Sequence, residues 1–98
     1  ISSVNFAEVG TKLINFGLPE AELKRGLAQF RLDVIDFDAG QATACAALRA
    51  VTRAQGLSLG DRACLSLASG MEGVAVTADR AWADLGESVS GVRVLLIR

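Results

Sequence analysis

Apolar residues recur at intervals of three and four along Phe6, Val9, Leu13 and Phe16, and two serines, Ser2 and Ser3, stand just ahead of them. That pattern predicts a serine-capped amphipathic helix with Gly17 as its stop. Leu18 and Pro19 open a second helix, since proline at the first helical position gives up no needed hydrogen bond; Leu23, Leu27 and Phe30 form its buried stripe. Residues 32–37, with Val34, Ile35 and Phe37, read as a short strand. The alanine-rich stretch 38–55 is a helix, capped by Asp38 and stopped by Gly56. Ser58 caps another, carrying Ala63, Leu65, Leu67 and Ala68 and ending at Gly70. Then come a short apolar strand at 74–76, a short helix at 79–85 closed by Gly86, and a final apolar strand at 92–97. Strands apolar throughout imply burial on both faces, hence a parallel sheet flanked by helices. The order α-α-β-α-α-β-α-β predicts an α/β sandwich, a single domain over residues 1–98.

Composition sharpens this picture mainly by exclusion. The 98 residues are 51% hydrophobic, with a mean hydropathy of +0.38, enough for one small core. Ten basic residues against eleven acidic ones leave a net charge of −1, so bulk charge does not hold this chain to nucleic acid. There is no His and no Tyr. Ser-His-Asp and Cys-His catalysis and His-ligated zinc are thereby excluded within the chain. Cys45 and Cys64 lie in apolar surroundings and read as buried free thiols of a reducing compartment. The longest uncharged run, 39–48, falls far short of the ~20 residues that span a bilayer. A soluble, cytoplasmic protein with no membrane association is the expectation.

No glycine-rich nucleotide loop is present, so carboxylates remain as the working groups. Glu8 sits one residue off the first apolar stripe, Asp61 in the first turn of the Ser58 helix, and Asp79 just past the 74–76 strand, where open α/β sheets place ligands. Each has a plain structural alternative. Glu8 and Lys12 form an i,i+4 pair, Asp61 completes a capping box with Ser58, and Asp79 opens its helix. Convergence would change the physics, because two carboxylates ~4 Å apart repel by ~4 kcal/mol at an effective dielectric of 20. Such a cluster takes up protons or a cation, and helix N-termini favour the ionised form. Oxygen-only ligands then suit Mg²⁺ or Mn²⁺.

The segment Ser3-Val4-Asn5-Phe6-Ala7-Glu8-Val9 resembles the S-x-x-x-x-E helix of PIN-domain proteins. The run from Gly56 to Leu65, containing Ser58, Gly60 and Asp61, is similar to their second acidic motif, and Val76-Thr77-Ala78-Asp79-Arg80-Ala81-Trp82 to their third. Order, spacing and the flanking Trp82 and Leu85 resemble most closely the VapC-type toxins of bacterial toxin–antitoxin pairs. The resemblance implies a PIN-like sandwich and an endoribonuclease that hydrolyses RNA phosphodiesters at a carboxylate-bound Mg²⁺ or Mn²⁺. It also implies silencing by a cognate antitoxin protein, and a homodimer. Carried over, Glu8, Asp61 and Asp79 are metal-site carboxylates, Thr77 supports them by hydrogen bonding, and Asp84 is an outer member.

The family pattern begins with a strand whose end carries a first catalytic Asp, and nothing before Ile1 supplies it. Asp33, Asp36 and Asp38 follow Glu8 and so cannot stand in for it. Without that strand the sheet is expected to hold an internal gap with unpaired backbone groups. Arg49 and Arg53 share a helix face, and Arg62 and Arg80 each follow a candidate carboxylate; RNA phosphates or the antitoxin are their candidate contacts, a solvated face the alternative. Trp82 reads as core or interface. The rival readings are a non-catalytic PIN-like module that only binds a partner protein, and an inactive truncated fragment.

Overall fold

Ser2 sets the start of the first helix. In the computed structural model, which describes residues 1–85, 89 and 92–97 without the side chains of Ala83 and Asp84, its hydroxyl accepts the Val4 N–H at 3.2 Å. Helix α1 then runs Ser3–Asn15. Phe6, Val9 and Leu13 are half-buried along it, as the spacing predicts. Phe16 is not: it caps the helix and is 88% exposed. The cause is the turn that follows. Gly17 takes φ +103°, its N–H bonds Ile14 O, and the Leu18 N–H reaches back to Leu13 O at 3.0 Å. This Schellman closure swings the chain off the buried face.

Pro19 precedes a 3₁₀ turn at Glu20–Glu22, and α2 is the short helix Leu23–Ala28. Leu23 and Leu27 pack over Gly10 of α1, where an added Cβ would already meet Leu27 Cδ1 at 3.5 Å. Phe30, expected in the same stripe, lies beyond the helix end and is exposed. The strand expected over 32–37 reduces to one parallel bridge, Ser2 to Ile35. Ile35 N–H bonds Ile1 O at 2.8 Å and Ser3 N–H bonds Ile35 O at 2.9 Å. The partner turns helical at Ser3, which leaves room for a single rung.

Helix α3, Ala39–Thr52, begins where Asp38 accepts the Gln41 N–H at 2.8 Å. It tightens into a 3₁₀ turn at Arg53–Gln55 and stops at Gly56, which adopts a left-handed φ of +61°. Helix α4, Leu59–Gly70, packs against α3. Strand β1, Val74–Thr77, pairs in parallel with β2, Arg93–Leu96, in the register Val74–Arg93 to Thr77–Leu96. The connection holds a 3₁₀ helix, Arg80–Leu85, in place of the α-helix expected over 79–85. Short local bonds at its start, from Ala81 N–H to Asp79 Oδ1, favour the tighter turn. The Gly86 stop lies outside the described residues.

Leu57, Leu65, Ala75, Trp82, Leu85, Val89 and Val92 make the core, beneath one face of the sheet. The expectation of burial on both faces fails. Ala75 is buried, but Val74, Val76, Leu95 and Ile97, on the other face, are exposed, Val76 by 54% and Ile97 by 66%. No described element packs over them, so continuous apolarity here marks an open face. Four helices and a two-stranded parallel sheet make an α/β fold. Among the described residues no helix is long and apolar enough to cross a membrane.

Candidate carboxylate site

Residues three apart share a helix face, so α1 presents Asn5 and Glu8 together. The Asn5 side-chain amide donates to Glu8 Oε1 at 3.0 Å and to the backbone carbonyl of Gly60 at 2.9 Å. Gly60 lies in the first turn of α4, and the Glu8 carboxylate packs directly on it: a Cβ placed there would stand 2.6 Å from Glu8 Oε2. Asn5, not Lys12, is therefore the group that orients Glu8. Among the described residues the ion pair that forms is Arg25 with Glu22, at 3.5 Å.

Asp61 follows Gly60 and completes a capping box. Its N–H donates to Ser58 Oγ and its Oδ2 accepts the Ser58 N–H, both at 3.1 Å. This is the plain structural role the sequence allows, realised in full. Asp79 sits exposed just past β1; its N–H donates to Thr77 Oγ1 at 3.0 Å, and its Oδ1 accepts the Ala81 N–H at 2.9 Å. Thr77 thus holds the backbone of Asp79 rather than its carboxylate. Asp84 falls in the 3₁₀ helix, and its side chain is outside the described residues.

A trough of about 810 Å³ joins these elements, lined by Asn5, Gly60 and Asp61, by all of β1, and by Ala78 and Trp82. Cys64 lines it too, one turn beyond Asp61. Burial pushes the Cys64 thiol pKa up, and the neighbouring Asp61 charge adds to the rise. Both cysteines are free; Cys45 is buried and Cys64 half-buried.

Among the described residues, no three His, Cys, Asp or Glu side chains form a group able to hold a metal ion. Glu8 and Asp61 meet α4 at adjacent positions, whereas Asp79 hangs from the end of β1. These donors do not build an all-protein cage. They do suit a hard cation such as Mg²⁺, which keeps several waters and takes only one or two carboxylates together with substrate phosphate. Of the candidate arginines, Arg49, Arg53 and Arg80 are exposed. Arg62 is half-buried and donates from Nη1 to the Cys45 carbonyl at 3.1 Å, which ties α4 to α3.

Sequence reading passed over Asn5 and Gly60. The signals were present: Asn5 is one turn before Glu8, and Gly60 is a glycine inside a helix, where it costs stability unless close packing needs it. Set beside protein-family models, curated proteins and solved structures, the chain matches none.

Proposed function

We propose that the chain belongs to a PIN-like, VapC-type metal-dependent endoribonuclease, active as the intact protein, in which Glu8, Asp61 and Asp79 contribute to holding Mg²⁺ or Mn²⁺. The observation that carries this reading is the Asn5 bridge, which fixes a carboxylate of α1 against the residue preceding a carboxylate of α4. Two acidic motifs far apart in sequence become neighbours at Gly60; Asp61 and the strand that precedes Asp79 line one trough, and Glu8 lines the adjoining pocket with Leu59 and Gly60.

When bound, Mg²⁺ or Mn²⁺ supplies charge neutralisation at the scissile phosphate and an activated water for in-line attack. Each residue of the chain has its own part. Asn5 holds the exposed Glu8 carboxylate beside Gly60. The capping box holds the Asp61 side chain at the N-terminus of α4, turned back onto the Ser58 N–H. Thr77 fixes the loop that carries Asp79. With a net charge of −1, RNA contact rests on local cations, and Arg49, Arg53 and Arg80 are exposed for that role or for an antitoxin protein. A homodimer in the cytoplasm belongs to the same reading.

A second reading, a non-catalytic module that only binds a partner protein, is favoured by one observation. Asp61 and Asp79 both spend a carboxylate oxygen on local backbone N–H groups. Calorimetric titration with Mn²⁺ and cleavage of a labelled single-stranded RNA separate the two. For the intact gene product the nuclease reading expects Mn²⁺ binding and metal-dependent cleavage, both lost in Asp61→Asn and Asp79→Asn. Equal binding and cleavage in wild type and both variants would sink the metal-site assignment, and no Mn²⁺ binding by the wild type would favour the binding module.

A further inference from the structure

We draw no further inference here: the strongest candidate, the apolar groove of about 480 Å³ that Phe6 of α1 and Leu23 and Leu27 of α2 form with Val34, is an unpartnered face whose two cations, Lys24 and Arg31, are exposed and select no occupant, and nothing in the structure shows what covers it.

Discussion

The amide of Asn5 donates to the carbonyl of Gly60 at 2.9 Å and, with its other hydrogen, to Glu8 Oε1 at 3.0 Å. One half-buried side chain thereby fastens α1 to the first turn of α4 and fixes a carboxylate. Asn5→Ala removes both bonds and leaves the Gly60 carbonyl without this donor. The expected cost is about 1–3 kcal/mol, read from urea unfolding midpoints.

Gly60→Ala is expected to separate stability from site geometry. Alanine in a helix is favoured over glycine by about 1 kcal/mol, and the atom its methyl would strike is the end of the flexible, exposed Glu8 side chain. Glu8 swings away, the Asn5 bond is lost, and thermal stability holds or rises slightly. Mn²⁺ affinity falls by about 10–100-fold, the size of effect seen when the groups orienting a metal ligand are disturbed. A drop in stability with unchanged metal affinity would mean that Gly60 serves packing alone.

The helix boundaries were readable because their causes are local. Ser2, Asp38 and Ser58 cap as their residue types predict, and Gly17 and Gly56 stop helices through positive φ. The strand at 32–37 was not readable, because a strand exists only with a partner, and Ile35 finds just one rung at Ser2. Val74 and Val76 misled for a related reason: apolarity says that a face wants cover, not that the chain provides it. Two of the three candidate acids met their plain roles in the structure. What periodicity could not disclose was the junction of Asn5 with Gly60, since it joins residues that only the packing of α1 on α4 brings together.

Asp61 carries two roles that substitution can pull apart. Asp61→Ala breaks the capping box and is expected to cost about 0.5–2 kcal/mol of stability. Asp61→Asn keeps a side-chain acceptor for the Ser58 N–H and should recover much of that loss in thermal unfolding, while still removing the charge that a cation needs. Asp79→Asn, at an exposed turn, is expected to change stability by less than about 0.5 kcal/mol and to abolish metal-dependent cleavage.

Cys64 offers a readout of the trough through pH. Burial, and after it the Asp61 charge, raise the thiol pKa in the folded chain above its unfolded value of about 8.5. The folded state therefore holds this proton more tightly. The associated stability is complete below about pH 8.5 and is lost as pH rises through the folded pKa. With no His or Tyr in the chain, few other groups titrate in that window. Urea midpoints measured from pH 7 to 10.5 are expected to fall for the wild type and to flatten in Cys64→Ala. Asp61→Asn should lie between them, because it removes only the smaller cause, and a wild-type profile no steeper than that of Cys64→Ala would show that the thiol is not held in this way.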